Sequence, residues 1–540
     1  MKPFAITLDV GTSLANHTGS WRTLRPEYQD FLPPCNSTCP AGENIQAWLF
    51  HAEEGNYRAA WDEIVSNNPM PATMGRACYH TCEGACNRAK IDSSVGIHAV
   101  ERFLGDLAIA QKWKVEVTAK ATGKRVLVIG AGPGGLSAAY HLRRLGHAVT
   151  IVDSHPLPGG MLRYGIPKYR LPREVLDAEI GRIAAMGVEF KFNTRIDDVA
   201  AAKKDGNYDA VFMAIGAWVG KRVNMPSDNS VQILDALEML SQFESEPEKL
   251  RLSGHVVVFG GGNVAMDVAR TARRLGCKVT VLVRRSRALM PAHSFEIVEA
   301  EEEGVEFLCL HSVKSAEKGK LLIERNVLDD TNAARPTGET FLMPADSLVM
   351  AVGQDVDLHF TEKLPAMETV GGSVKIDRQM ATTVDGIFAG GDMTPNPRTM
   401  TAAIGDGKKA ARNIDAWLRG EAYAPPPKHP VAEAKRLNTW YYGDASAAMQ
   451  PILDSVRRQS GFAEVVGNLQ ESEAQWEARR CLSCGNCFEC DNCYGVCPDN
   501  AIRKLGKGKR FEIDYEYCKG CGLCAAECPC GAIDIKMEST

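Results

Sequence analysis

The chain has 540 residues, a formal net charge of -5 and 18 cysteines. A chain of this length folds into several domains with large cores, and its charge gives no reason to expect a nucleic acid or an acidic membrane surface as a partner. No apolar run reaches the length of about eighteen residues that a membrane span needs. The N-terminus lacks the apolar core of a signal peptide. Clustered cysteines without an export signal predict bound metal in a reducing cytoplasm rather than disulfides.

Five cysteines form two closely spaced groups near the N-terminus. Cys35 and Cys39 lie in PPCNSTCP, and Cys78, Cys82 and Cys86 lie in GRACYHTCEGACNR. Such spacing places thiolates on tight loops, where they can ligate an iron-sulfur cluster or zinc. The spacing alone leaves both metals open.

Residues 125–161, RVLVIGAGPGGLSAAYHLRRLGHAVTIVDSHPLPGGM, have the pattern of a dinucleotide-binding unit. An apolar strand leads into a G-x-G-x-x-G turn, a helical segment and a second strand. The glycines let the backbone approach a pyrophosphate, and the helix N-terminus offers it free N–H groups. Asp153, which ends the second strand, can accept hydrogen bonds from the adenosine ribose. The glycines of this turn are Gly130, Gly132, Gly134 and Gly135.

Two further segments point to a particular nucleotide. HPLPGGMLRYGIPKYRLP (155–172) and TTVDGIFAGGDMTPNPRTMTAAIGDGKKAA (382–411) resemble the flavin-binding segments of the glutamate synthase small-subunit family. The resemblance implies an FAD site in which Gly391 and Asp392 meet the ribityl chain and the pyrophosphate, and in which the following helix points its N-terminus at the flavin ring. It also implies cofactor contacts from the first segment, at Gly160, Met161 and Arg170.

The same pattern recurs in residues 255–291, HVVVFGGGNVAMDVARTARRLGCKVTVLVRRSRALMP. The second strand here ends in Arg284 and Arg285, with Arg287 nearby, where an NAD site would carry an acid. Guanidinium groups suit a 2'-phosphate, so NADPH is favoured over NADH; the alternative is that these arginines are merely solvated. GGNVAMD also resembles the nicotinamide domain of the same family. The other cofactor-binding residues expected are Gly260, Gly262, Asn263, Ala265 and, in the return crossover, Gly353.

The N-terminal cysteine run and the VGIHAVERFLGD that follows it resemble the iron-sulfur domain of that family, which favours [4Fe-4S] over zinc. The family pattern implies one cluster on Cys39, Cys78 and Cys82, with a non-cysteine ligand near Glu101.

The same pattern leaves a second cluster with only half of its ligands, Cys35 and Cys86. The R-C-L-x-C segment that usually precedes them is missing, yet EARRCLSCG occurs far downstream, with Cys481 and Cys484. Either these two cysteines fold back to join Cys35 and Cys86 on one cluster, or the N-terminal domain keeps a single cluster and the other cysteines are free.

Two C-x-x-C-x-x-C-x-x-x-C-P runs near the C-terminus form the pattern of a bacterial two-cluster ferredoxin, in which the fourth cysteine of each run ligates the cluster of the other run. Cys528 should therefore complete the first cluster and Cys497 the second. The module also resembles the small ferredoxin-like subunit of 2-oxoacid:ferredoxin oxidoreductases. Between the runs, the basic residues 503–510 are either a solvated hairpin tip or a docking patch for an acidic redox partner. The two runs are Cys487, Cys490, Cys493, Cys497 and Cys518, Cys521, Cys524, Cys528.

We therefore expect a multidomain α/β protein with two Rossmann-like dinucleotide-binding domains, the NADPH domain being inserted in the FAD domain. A helical iron-sulfur domain should precede them and a bacterial-type ferredoxin fold should follow. The expected domains are 1–120 (helical iron-sulfur), 121–222 (first part of the FAD domain), 223–350 (NAD(P)H), 351–420 (second part of the FAD domain), 421–480 (linker and helix) and 481–540 (ferredoxin).

The expected function is electron transfer between NADPH and a partner protein by way of FAD and [4Fe-4S] clusters. Nicotinamide exchanges hydride, clusters exchange single electrons, and flavin can do both, so no side chain need act as nucleophile or base. The expected partner is a ferredoxin or a catalytic subunit, such as that of a 2-oxoacid oxidoreductase or glutamate synthase, in a hetero-oligomer. The alternatives are a free-standing NADPH:ferredoxin oxidoreductase, including a bifurcating one, and an iron-sulfur scaffold or redox sensor.

Overall fold

The structure is a computed structural model that describes residues 17–538. Helices form its N-terminal part, and their apolar faces bury the side chains of Trp48, Ile64 and Leu104. Two of the helices cross with their backbones nearly touching, since a Cβ on Gly105 would lie 2.2 Å from the backbone nitrogen of Ala72. The helices are Pro34–Thr38, Ile45–Glu53, Tyr57–Val65, Pro71–Ala77, Thr81–Gly84 and Ile97–Ala110.

A five-stranded parallel sheet follows and forms the centre of the molecule. Three of its strands, Arg125–Ile129, Ala148–Val152 and Ala210–Met213, are mostly apolar and buried on both faces, as parallel strands covered by helices are. Helices Pro133–Arg144 and Met400–Leu418 pack along each other over this sheet, and a Cβ on Gly407 would lie 2.3 Å from the carbonyl oxygen of Gly134. Helix Arg173–Ala184 also covers it. The strand order is Ile387–Ala389, Ala210–Met213, Arg125–Ile129, Ala148–Val152 and Glu189–Lys191.

The segment between strands Ala210–Met213 and Ile387–Ala389 of the first sheet forms a second five-stranded parallel sheet. The chain leaves and re-enters the first sheet through two short strands, Val219–Gly220 and Gln354–Asp355, which pair with each other in antiparallel fashion. Helices Ala236–Ser245, Asn263–Arg274 and Ser294–Glu302 cover the second sheet. Its strand order is Glu306–Cys309, Lys278–Val283, His255–Phe259, Ser347–Met350 and Gln232–Asp235, and an antiparallel sheet of His311–Glu317, Lys320–Leu328 and Ala334–Pro344 adjoins it.

The C-terminal part returns to the N-terminal helices. Residues 421–470 contain one short α-helix, Ser455–Ser460, and then helix Glu471–Arg479 packs against Ile45–Glu53 and Ile97–Ala110. The last module contains helices Asn492–Val496 and Leu523–Ala526 and the hairpin strands Ile502–Lys504 and Phe511–Ile513. Its final strand, Ile533–Met537, pairs with Leu24–Tyr28, so the two ends of the described chain share one sheet.

The expected mixed α/β architecture is confirmed. Within residues 17–538, no helix combines the length and the apolar character that crossing a bilayer requires.

Candidate functional site

One large cleft lies where the first parallel sheet ends in the Gly130 turn. The turn feeds helix Pro133–Arg144, and the adjoining strand Ala148–Val152 ends at Asp153. Of the residues expected to bind a cofactor, those that line this cleft are Gly130, Gly132, Gly134, Asp153, Gly160, Met161, Arg170, Asn263, Gly391 and Asp392.

Some glycines of this turn are required by packing within the protein, whereas others leave space that a ligand could occupy. A Cβ on Gly135 would lie 1.9 Å from the carbonyl oxygen of Gly130, so packing within the turn requires a glycine there. A Cβ on Gly132 would meet nothing nearer than the Cα of Gly160, at 3.9 Å. The turn therefore keeps open space in front of the helix N-terminus, which is where a pyrophosphate fits.

Asp153 faces the cleft but also holds its loop. One carboxylate oxygen accepts a hydrogen bond from the backbone N–H of Ala131 over 2.7 Å, and the other accepts one from the backbone N–H of His155 over 2.8 Å. The Nδ1 of His155 also lies 3.1 Å from the second oxygen, but the oxygen that accepts from Ala131 has a further lone pair and can still accept from a ribose.

Asp392 is held in a poorly solvated part of the same cleft. Burial, partly opposed by the nearby Arg398 guanidinium, raises the pKa of Asp392 to about 6. The following helix, Met400–Leu418, begins at the cleft, where Thr399 caps it by accepting a hydrogen bond from the backbone N–H of Ala402. The N-terminus of this helix is thus directed into the cleft.

The helix that follows the second glycine turn begins at the same cleft. A Cβ on Gly260 would lie 2.2 Å from the carbonyl oxygen of Ala351, whereas one on Gly262 would meet only a Pro291 carbon at 3.9 Å. Asn263, Val264 and Asp267, on the first turns of helix Asn263–Arg274, line the cleft opposite the first turn. Two nucleotides bound at these turns would therefore meet in one space. Ala265 is buried in the core of the second sheet, and Gly353 lies in the strand connection, where its carbonyl accepts from the N–H of Lys221.

Arg170 forms ion pairs within the protein. Its guanidinium forms ion pairs with Asp267 over 2.8 Å and with Glu296 over 2.7 Å, and both carboxylates belong to the part of the chain around the second sheet. Arg170 lines the cleft while joining the first nucleotide-binding region to the second. Sequence reasoning did not identify these two carboxylates, because they lie about a hundred residues away from the arginine.

The three arginines after strand Lys278–Val283 differ in their surroundings. Arg284 and Arg285 are exposed, and neither forms an ion pair with any residue that the structure describes. Arg287 is bound by the carboxylate of Glu301. The first two are therefore free to bind a 2'-phosphate, whereas the third would first have to leave its partner.

Cys39, Cys78 and Cys82 come together beside two buried carboxylates. Burial raises the pKa of the Cys82 thiol, and the neighbouring groups that raise it further include Cys78, Cys39 and Glu101. Glu101 accepts a hydrogen bond from the Asn68 amide over 2.8 Å.

The second carboxylate of this group, Glu43, was missed in the sequence. Glu43 accepts hydrogen bonds from the same Asn68 amide over 3.0 Å and from the Trp48 indole over 3.2 Å. It lies beside Cys39, and burial together with the Glu43 charge raises the pKa of the Cys39 thiol. Glu43 lies in the AGEN segment just after Cys39, but no spacing rule for cluster ligands includes it.

The Cys78 side of this group touches the flavin-type helix. The hydroxyl of Thr401, in the first turn of Met400–Leu418, donates a hydrogen bond to the Sγ of Cys78 over 3.1 Å. The next residue, Tyr79, lines the cleft and stacks on His293 with ring centroids 4.2 Å apart. Cys78 is thus adjacent to the cleft.

Four more thiols line one small cavity between the N-terminal helices and the segment before the C-terminal module. They are Cys35, Cys86, Cys481 and Cys484.

The eight cysteines of the two C-terminal runs form two groups. Burial raises the pKa of the Cys487, Cys490 and Cys493 thiols, and in each case the neighbouring sulfur of Cys528 raises it further. The other group lines a separate cavity and consists of Cys497, Cys518, Cys521 and Cys524. Each group combines three thiols of one run with the fourth of the other. Cys530, which no motif includes, is buried with its sulfur 3.7 Å from that of Cys528.

Three sequence families match the chain. The pyridine nucleotide-disulphide oxidoreductase family matches residues 124–407, and dihydropyrimidine dehydrogenase domain II, with its 4Fe-4S cluster, matches residues 29–113. A 4Fe-4S dicluster domain matches residues 486–532. Cys481 and Cys484 lie outside all three matches.

Several curated proteins are similar over most of their length. The beta subunit of an NADP(+)-dependent formate dehydrogenase of Moorella thermoacetica is 35% identical over 507 residues, which cover 85% of this chain and 71% of that protein. The beta subunit of an NADPH-Fe(3+) oxidoreductase of Geobacter sulfurreducens is 32% identical over 506 residues, covering 84% and 75%. The small chain of the NADPH glutamate synthase of Escherichia coli is 32% identical over 424 residues, covering 72% and 89%.

The family matches agree with the two facing glycine turns and the grouped thiols, and they imply FAD, NADP(H) and [4Fe-4S] clusters as cofactors. The chain belongs to the pyridine nucleotide-disulphide oxidoreductase family, as a glutamate synthase small-subunit-like, NADPH-dependent FAD and iron-sulfur oxidoreductase.

Proposed function

We propose that this protein is the NADPH-oxidising electron-transfer subunit of a larger oxidoreductase. One observation carries the proposal: the first glycine turn and the start of the helix that follows the second glycine turn line a single cleft, and a thiol of the nearest cysteine group is hydrogen bonded to the helix that starts in that cleft. NADPH bound at the second turn would meet FAD bound at the first, and the first electron acceptor would be one residue away from the cleft wall.

The residues of the chain bind and orient the two nucleotides. The helix N-termini behind Gly132 and Gly262 would bind the pyrophosphates, Asp153 the FAD ribose, and exposed Arg284 and Arg285 the 2'-phosphate. Bound flavin supplies the exchange between hydride and single electrons that this pairing requires. Arg170, paired with Asp267 and Glu296, would keep the two binding regions facing each other.

The thiol groups provide an exit route. We assign one cluster to Cys39, Cys78 and Cys82 with a carboxylate, Glu101 or Glu43, as the fourth ligand. Two more clusters occupy the crossed groups of the C-terminal module. [4Fe-4S] clusters accept and pass single electrons. Among the described residues Cys521 is the one exposed cysteine, so the second ferredoxin-type cluster is where a partner would receive electrons.

The partner is a redox protein, and we propose a hetero-oligomer because the similar proteins include subunits of formate dehydrogenase, NADPH-Fe(3+) oxidoreductase and glutamate synthase. A catalytic subunit that accepts or supplies single electrons fits this chain, and the clustered cysteines favour a reducing cytoplasm.

We propose the domain limits 1–120, 121–222, 223–350, 351–420, 421–480 and 481–540. The NAD(P)H domain, 223–350, is inserted between the two parts of the FAD domain, 121–222 and 351–420. The antiparallel pair of strands that contains Val219 and Gln354 supports this insertion.

Counting electrons tests the proposal. Anaerobic titration with NADPH should bleach the flavin band and continue beyond one equivalent per chain, because flavin takes two electrons and the clusters take more. Saturation at one equivalent, with the cluster absorbance unchanged, would contradict it. Isolation of the native complex should recover a second redox subunit, and recovery of this chain alone would favour the free-standing oxidoreductase.

A further inference from the structure

Four thiols from three separate segments meet in one cavity. Cys35 lies in the first turn of the helix Pro34–Thr38, Cys86 follows the helix Thr81–Gly84, and Cys481 and Cys484 follow the helix Glu471–Arg479. Cys35 and Cys484 are at most 9% exposed. The chain thus brings residues about 400 positions apart to one point.

The cavity suits a metal cluster better than any other occupant. No carboxylate and no hydroxyl lies among its lining residues within the described chain, and the four cysteines are free thiols in the structure. The rest of the wall is mainly apolar or proline, including Pro33, Leu49, Val95, Ile97 and Leu482. Four thiolates in such surroundings would repel one another strongly unless they shared a cation.

The two downstream cysteines are held in place by a polar network that is independent of any metal. Arg480 is buried and donates hydrogen bonds to Glu477, to Asp92 over 3.1 Å and to the Ser93 carbonyl over 2.7 Å. Glu477 is also buried and accepts from the backbone N–H of Gly96 over 2.7 Å. Helix Glu471–Arg479 is therefore fixed to the N-terminal helices immediately before Cys481.

The cavity also has the hydrogen bonding that thiolate ligands need. The amide of buried Asn87, next to Cys86, donates to the Ala432 carbonyl over 2.9 Å and lies 3.5 Å from the Sγ of Cys484. N–H groups directed at ligand sulfurs stabilise the charge of a bound cluster.

The neighbours of this cavity favour a redox-active metal over structural zinc. Cys35 and Cys82 belong to one apolar core, so the cavity adjoins the cysteine group beside the flavin cleft. On the other side, the backbone N–H of Gly485 donates to the carbonyl of Cys530 over 2.7 Å, and Cys530 contacts the ligand thiol Cys528. The cavity lies between the first cysteine group and the C-terminal module.

We propose that Cys35, Cys86, Cys481 and Cys484 together bind a [4Fe-4S] cluster that joins the N-terminal domain to the ferredoxin-type module. Metal binding at this site stands on its own, whereas its role as a relay rests on the proposed function. As a relay it would accept one electron from the reduced cluster of the Cys39 group, which would thereby be oxidised, and pass that electron on to the Cys487 group. NADPH is the source of the electrons.

Paired alanine variants test the assignment. Cys481→Ala with Cys484→Ala should lose about four iron atoms and about four acid-labile sulfides per chain, one cluster. Cys35→Ala with Cys86→Ala should lose the same amount, and the quadruple variant should lose no more than either pair. The matched control, Cys277→Ala with Cys309→Ala, removes two thiols near the second sheet and should leave the iron content unchanged.

Additive losses in the quadruple variant, unchanged iron in either pair, or zinc at this site would overturn the proposal. FAD content and bleaching by NADPH report on the fold of each variant and are expected to stay at wild-type levels. If the variants fail to fold, metal analysis of the wild-type protein decides: four clusters require about sixteen iron atoms per chain, and three give about twelve. Iron counting needs no NADPH, so failure here is distinguishable from failure of the proposed function.

Discussion

The hydroxyl of Thr401 donates a hydrogen bond to the Sγ of Cys78 over 3.1 Å, joining the helix that starts at the flavin cleft to the first cysteine group. Hydrogen bonds to ligand sulfurs raise the potential of a cluster because they stabilise its more reduced, more negative state. Thr401→Val should therefore lower the potential of the cluster bound by Cys78, as measured by EPR-monitored redox titration. Thr401→Ser keeps the hydroxyl and should retain the wild-type potential; equal shifts in both variants would rule out the hydrogen bond as the cause.

The middle glycines of the two turns provide a matched pair of variants. A methyl group at Gly132 or at Gly262 meets no protein atom nearer than 3.9 Å, so either alanine should leave folding unchanged. We expect Gly132→Ala to weaken FAD binding by about tenfold or more, which corresponds to about 1.4 kcal/mol, because the added methyl lies where the pyrophosphate would approach.

Gly262→Ala should instead weaken NADPH binding and leave the FAD content normal. Equilibrium binding and flavin content, measured for both variants, check the pair. Loss of both nucleotides from each variant would show that the turns do not serve separate cofactors.

Arg284 and Arg285 should set the preference for NADPH. A charge-assisted hydrogen bond contributes roughly 1.5–3 kcal/mol, so replacing both with alanine should raise the KM for NADPH by about tenfold to a hundredfold. The KM for NADH should change little. Arg287→Ala is the comparison, and its effect should be smaller because Glu301 already binds that guanidinium. Equal losses with NADPH and NADH would contradict a 2'-phosphate site.

A buried ion-pair network stabilises the region around the second sheet. The carboxylate of Glu303 is fully buried and pairs with Arg270 and Arg274, which are also buried. Glu303→Gln leaves the buried Arg274 guanidinium without a countercharge, while Arg270 keeps its pair with Glu299, and should lower the free energy of unfolding of this region by roughly 3–5 kcal/mol. The control Glu301→Gln breaks an exposed pair and should cost at most about 1 kcal/mol. Hydrogen exchange of helix Asn263–Arg274 would measure both.

The same carboxylate predicts a pH dependence. Burial raises the pKa of Glu303, but hydrogen bonds from Arg274 and Arg270 outweigh it, and the net shift is downward. A lowered pKa in the folded state contributes stability above the unfolded value of 4.5, and this is lost as the pH falls through the folded value. The difference between wild type and Glu303→Gln should therefore shrink in acid, and a constant difference would contradict the assignment.

Much of the architecture could be predicted from local patterns in the sequence. The strand, glycine turn and helix around Gly132, and again around Gly262, are contiguous in sequence, so the periodicity of a short segment was enough to predict them. The contacts that depend on distant segments could not be read in this way. The ion pairs of Arg170, the pairing of Arg287 with Glu301 and the position of Glu43 beside Cys39 all depend on tertiary packing.

The basic loop between the two C-terminal cysteine runs shows the same limit. The sequence left open whether it is a solvated tip or a docking patch. In the structure Lys507 pairs with Glu54 and Arg510 with Asp30, so part of the loop contacts the N-terminal region. Both partners lie more than 450 positions away in the chain. No local pattern could have identified them.

Rapid mixing with NADPH under anaerobic conditions tests the central claim most directly, with flavin bleaching followed optically and cluster reduction by freeze-quench EPR. In the wild type, the flavin should bleach first and the clusters of the C-terminal module should be reduced afterwards. In Cys78→Ala, the flavin should bleach at the wild-type rate while the C-terminal clusters stay oxidised. Reduction of those clusters at the wild-type rate in this variant would contradict a route from the nucleotide cleft through the first cysteine group.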